Sequence, residues 1–180
     1  MSSSRKKVIV RRFSGDTLPG YLPAASFIHS NSLDLLDLTG RIIPLPLNDI
    51  KTVSYVRDFN LSDSVNPERL TRRTFLARPR TEGLWLRMTF RSGELLEGLA
   101  ATDLTLLDSL IDDAGLFVAP PDTRSNTQRI YIPRAALTEI HLVAVITTPS
   151  RRQPLPTAKS TKEIQEELFH LPLDPDSRPN

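Results

Sequence analysis

The 180-residue chain contains no cysteine, so neither a disulfide nor a thiolate-held metal can brace it. No apolar run approaches the length of a membrane span. Met1 is followed by the polar, basic stretch SSSRKK rather than by the apolar segment of a signal peptide, and the expectation is a cytoplasmic protein with no membrane contact. The three histidines, His29, His141 and His170, lie far apart, and none has a His or Cys neighbour at metal-ligand spacing. The G-x-S-x-G elbow, the Walker loop and the dinucleotide fingerprint are missing as well. The chain is therefore expected to be non-catalytic, with no cofactor and no metal.

What is present is an ordinary globular composition, 39% hydrophobic and 24% charged, enough for one domain of usual size or two small ones. The net charge of +2 conceals an uneven distribution. Arg5, Lys6, Lys7, Arg11 and Arg12 crowd the N-terminus, and Arg69, Arg72, Arg73, Arg78 and Arg80 crowd the middle. The stretch between Gly93 and Asp113 is acidic. Such asymmetry is what a nucleic-acid surface needs, although solvated faces and linkers produce it more often.

The strongest signal is a duplication. Ser14, Gly15, Leu18 and Gly20 recur 78 positions later as Ser92, Gly93, Leu96 and Gly98. Downstream, Ile43, Leu45, Pro46, Ile50, Val53 and Val56 recur 87 positions later as Ile130, Ile132, Pro133, Leu137, Ile140 and Val143. Order and spacing are kept, with nine extra residues between the motifs of the second copy. Each copy reads as β structure. KVIVRRF and LWLRMTF carry β-branched and apolar residues at period two, and Ser-Gly supplies the turn. The second glycine of each motif, Gly20 or Gly98, marks a bend or bulge in the returning strand. SLDLLDL is a third strand in the first copy, with GLFVAP its preferred counterpart over DLTLLD, which leaves Asp103–Ala114 as part of a helical insertion. RIIPL and RIYIP give a fourth strand, and IKTVSYV and LTEIHLV a fifth, entered through a turn after Pro46 or Pro133. Five short, bent strands per copy predict two tandem small barrels of mainly β class.

The succession of strand, G-x-x-L-x-G, strand and I-x-x-V resembles the Sm-like family, which includes the bacterial RNA chaperone Hfq, and the second copy is the closer. SH3-like barrels share much of the pattern. The chain also resembles a bacterial protein family of unknown function, through VRDF and PPDTRSNTQR. The Sm resemblance implies single-stranded RNA bound by polar residues before the fifth strand. That segment falls on Pro133, Arg134 and Ala135, and on Pro46, Leu47 and Asn48 in the first copy. The Lys-His pair of the family is absent from both, and only Arg134 keeps a phosphate-capable donor.

Other candidate sites follow from the residues. Pro120–Arg129 gathers Arg124, Ser125, Asn126, Gln128 and Arg129 into one loop, where the arginines can hold a phosphate or carboxylate bidentately. NPERLTRRTFLARPR predicts a short connector helix capped by Asn66 and carrying Arg69, Arg72, Arg73, Arg78 and Arg80 as nucleic-acid candidates. The proline-rich TTPSRRQPLPTAKS predicts a flexible linker. After it, Ile164, Leu168 and Leu171 mark a short amphipathic helix for the chain's own barrel or for a partner's groove.

The expected organisation is a first barrel at 6–59, an Arg-rich connector at 60–82, a second barrel at 83–147 and a flexible tail at 148–180. The expected function is a non-catalytic binding or regulatory module acting through protein contacts or self-association. The alternative is sequence-tolerant binding of single-stranded RNA or DNA through the connector and the basic N-terminus.

Overall fold

A computed structural model describes residues 5–23, 26–103, 105–111, 114–122 and 124–147. The first copy supplies β1 (Lys6–Arg12), β2 (Thr17–Leu22), β3 (Ile28–His29), β4 (Ser32–Asp37), β5 (Ile42–Pro46) and β6 (Ile50–Val56). The second supplies β7 (Gly83–Phe90), β8 (Leu95–Ala100), α1 (Thr105–Ile111), β9 (Gly115–Val118), β10 (Thr127–Pro133) and β11 (Leu137–Ile146). Among the described residues no helix is long and apolar enough to cross a membrane.

Equivalent positions of the two copies pair in the same register. In β1 and β2, Val8 faces Gly20 and Val10 faces Leu18; in β7 and β8, Leu86 faces Gly98 and Met88 faces Leu96. The turns match too, with Arg12 N–H donating to the Asp16 carbonyl at 3.0 Å and Phe90 N–H to that of Glu94 at 2.9 Å. β1 pairs with β6 through a bulge that skips Lys51, and β7 pairs with β11 through a bulge that skips Thr138, 87 positions on. β9 pairs with β10 in the register of β4 with β5, so GLFVAP is the counterpart of the third strand and α1 lies within the insertion.

The two glycines of the motif do different work. Gly15 and Gly93 have φ of +96° and +81°, a turn conformation that costs other residues energy. Gly20 and Gly98 are needed for space. A Cβ on Gly20 would stand 2.5 Å from the Leu36 carbonyl oxygen, and one on Gly98 would stand 2.7 Å from the Val118 side chain. The next strand crosses there at backbone contact, as in strongly curled sheets.

The expected pair of closed five-stranded barrels is not what forms. One sheet has the order β3-β4-β2-β1-β6-β10-β9, with β5 beside β4, and a second has β11-β7-β8. The reason is the outer edge of β6. Instead of closing on β5 it pairs with β10 of the second copy, Val53 facing Tyr131 and Tyr55 facing Arg129. β9 is bridged back to β8 by a pair of backbone bonds between Leu99 and Ala119, at 3.0 and 2.8 Å. Each copy still keeps its own core. Val8, Val10, Leu33, Leu35 and Leu45 belong to one, and their equivalents Leu86, Met88, Leu116, Val118 and Ile132 to the other.

The predicted connector helix is absent as well. Asn66 does cap a turn, its carboxamide oxygen accepting from Leu70 N–H at 3.2 Å and its carbonyl from Arg69 N–H at 2.9 Å. Arg69 then turns left-handed, with φ of +47°, and a single turn held by a side chain does not propagate. The tail positions Ile164, Leu168 and Leu171 lie outside the described residues.

Candidate anion-binding groove

Three segments distant in sequence meet beside the β6–β10 seam. The first is Arg57–Asn60, which leaves β6 and is pinned by Phe59 edge-on against Tyr21, ring centroids 5.3 Å apart. The second is the connector around Arg69 and Thr71. The third is the β9–β10 loop from Asp122 to Asn126. Together they line an open groove of about 530 Å³.

Asn126 organises this meeting. Its amide Nδ2 donates to the carbonyls of Asp58 at 2.6 Å and Pro67 at 3.2 Å, while its Oδ1 accepts from Asp58 N–H at 3.0 Å. Thr127 Oγ1 donates to the Glu68 carbonyl at 3.0 Å, and Ser125 Oγ to the Thr127 carbonyl at 2.9 Å. Two of the predicted ligand residues, Ser125 and Asn126, line the groove and also carry hydrogen bonds that hold its walls.

Beneath the connector, buried Glu68 accepts from Arg11 Nε at 2.8 Å. Farther along, buried Glu97 accepts from Phe75 N–H, Trp85 Nε1 and Arg87 Nε at 2.9, 3.2 and 2.9 Å. These two carboxylates tie an otherwise irregular segment to both sheets.

The groove is lined by three arginines, Arg57, Arg69 and Arg124, and two aspartates, Asp58 and Asp122. Asp58 is held by Lys7 at 2.8 Å, and that hydrogen bond keeps its carboxyl below the usual range. Asp122 accepts from Thr71 Oγ1 at 2.6 Å and from Arg124 N–H at 3.0 Å, and the same bonds, Thr71 first, lower its pKa. With Asp58 matched by Lys7, the balance of the lining is positive. Asn60 adds an unmet need. Its Nδ2 is buried, with no hydrogen-bond partner among the described residues, and its backbone is left-handed, φ +46°, like that of Arg69. Left-handed backbone at two non-glycine residues and an unsatisfied donor, gathered at one groove, are features that concentrate at binding sites.

The sequence candidates are divided by this geometry. Arg69 and Arg124, from separate candidate groups, come together, and Arg72 stands close enough to Asp122 to lower its pKa further. Gln128 and Arg129 line a different cavity, with Leu99, Thr105 and Phe117, where the Arg129 guanidinium lies 3.8 Å from the Phe117 ring centroid. Arg134 is exposed on the turn after β10. Arg73 is held by Glu94, while Arg78 and Arg80 are exposed farther along the connector. Arg57 was not among the sequence candidates, although it lies in the VRDF stretch.

No curated protein and no solved structure matches the chain, and the resemblance to Sm-like proteins finds no support there. A family model does match, over residues 4–144, and by that match the chain belongs to DUF6982, a family of unknown function.

Proposed function

We propose that the chain is a non-catalytic binding module whose arginine-bordered groove receives a phosphate group carried by a partner molecule. The observation that carries this reading is that Arg57, Arg69 and Arg124, from three segments distant in sequence, line one groove. Guanidinium forks suit the oxygens of a phosphate, and a rigid wall keeps them apart until one arrives. The same proposal takes each repeat as a relative of the small Sm-like or SH3-like barrels. Registers that match residue for residue support one ancestral five-stranded unit.

A second reading is a single strand of RNA or DNA running from the groove over Arg72, Arg78 and Arg80, which are all exposed. Calorimetric titration with pyrophosphate, alongside anisotropy of a short labelled RNA, tests both. Pyrophosphate binding that weakens tenfold or more for each of Arg57→Ala and Arg124→Ala is expected, since a charge-assisted bond contributes about 1.5–3 kcal/mol. RNA binding that falls steeply with salt and needs Arg72, Arg78 and Arg80 would favour the strand instead. No binding of either probe would remove the groove as a phosphate site.

A further inference from the structure

The duplication makes the chain its own control for what a fifth strand should look like when its outer edge is covered. Val53 in β6 is 0% exposed and Val56 is 5% exposed, because β10 lies against that edge. Their equivalents in β11 are Ile140 at 44% and Val143 at 39%, and Leu142 and Val145 beside them reach 56% and 49%. β11 is the terminal strand of its sheet, paired with β7 alone among the described residues. It is also the longest strand, ten residues, and it contains no lysine, arginine, proline or glycine. Its one carboxylate, Glu139, is met by His141 on the same strand at 2.7 Å.

Natural edge strands are blunted by lysine, proline, brevity or bulges; β11 carries bulges at Thr138 and Val143 but has neither lysine nor proline and is not short. The remaining free edge of the first repeat, β5, is blunted. It is five residues long, and Pro44 stands where the second copy has Tyr131, the residue that faces Val53 across the seam. A proline there offers no N–H to a new strand. The seam that joins the repeats within one chain is therefore poorly repeated between chains through β5.

We propose that β11 is a dimer interface, pairing antiparallel with β11 of a second copy about a two-fold axis. Such a pairing satisfies the β11 edges of both copies at once, continues each three-stranded sheet into its neighbour, and closes so that neither β11 edge remains to recruit a third chain. The four exposed apolar side chains of each copy then flank those of the other, as Val53 and Val56 are flanked within the chain.

The absence of native cysteine gives a direct test on the full chain. Ile140→Cys, Leu142→Cys and Val145→Cys, which face the same side of the sheet across the bulge at Val143 and are all exposed, are made singly and cross-linked with a short bis-maleimide. A two-fold antiparallel pairing gives a single maximum of yield at the residue nearest the axis, falling on either side. Sedimentation gives the mass, which should be twice 20.2 kDa and should halve in Leu142→Lys/Val145→Lys. Both lysines replace side chains already half in water, so circular dichroism of that variant should be unchanged. A monomeric wild type, with the edge covered by residues 148–180 of the same chain or by solvent, overturns the proposal. So does an assembly larger than a dimer, which would mean that β5 is used after all, or a dimer whose mass is indifferent to the two lysines.

Discussion

At the scale of single residues, the junction of the repeats turns on Lys51. It is the residue that the β1–β6 bulge skips, and the bulge aims its side chain out of the ladder towards the second copy. There its ammonium meets Glu94, in the Ser-Gly turn of the second copy, and lies 5.4 Å from the Phe90 ring centroid. Glu94 also takes Arg73 of the connector, so one carboxylate joins three parts of the chain. Hydrogen bonds from Lys51 and then Arg73 lower its pKa from 4.5 to about 2. Because folding lowers that pKa, the stabilisation is complete above 4.5 and fades as the pH falls towards 2. Glu94→Gln should therefore cost about 1 kcal/mol at neutral pH, the carboxylate being partly open to water. The difference from wild type should close on acidification. Thermal melts of both proteins at stepped pH measure this, and a gap that persists unchanged to pH 2 would separate the cost from the carboxylate's charge.

At the scale of elements, local patterns were readable and their partners were not. The alternation of Leu86, Met88 and Phe90, the Ser-Gly turns and the I-x-x-V spacing depend on near neighbours, and β7 and β11 lie where those patterns put them, whereas the two-residue β3 has no such pattern. The connector helix failed because the cap at Asn66 is a local signal, whereas the residues after it are held by distant groups. Glu68 faces Arg11, and the carbonyls of Pro67 and Glu68 are taken by Asn126 and Thr127. Arg57 is illegible in the sequence for the same reason, since nothing in VRDF says that it will line a groove with Arg69 and Arg124. The connector's order should then depend on the loop of the second copy. Asn126→Ala removes three hydrogen bonds and should destabilise the protein by about 2–3 kcal/mol, at roughly 1 kcal/mol per bond. Hydrogen exchange should localise the loss, with the Asp58 amide deprotected first. Protection at Asp58 equal to wild type would show that the segment is held by other means.

At the scale of the whole molecule, the two copies share a sheet and exchange side chains across it. The sheet runs through the β6–β10 seam, and the core of the first repeat includes Tyr131 of the second, fully buried against Phe27 at 5.1 Å between ring centroids. Arg91 reaches back the other way, its guanidinium 3.9 Å from the Phe13 ring centroid and bonded to the Asn48 carbonyl. These contacts cross between residues 6–59 and residues 83–147. Tyr131→Ala should consequently act across the seam, opening a cavity in the first core at a cost of about 3–5 kcal/mol. Trp85 is the single tryptophan, and it sits in the second sheet against Phe75, ring centroids 5.6 Å apart. Its fluorescence reports on the repeat whose core Tyr131 does not enter. In a cooperative unit the urea midpoint seen by Trp85 moves as far as the midpoint seen by far-ultraviolet circular dichroism, and the two transitions coincide in wild type and variant alike. If the Trp85 transition stayed in place while the dichroism signal split into two steps, the repeats would be folding separately and the seam would be only a contact.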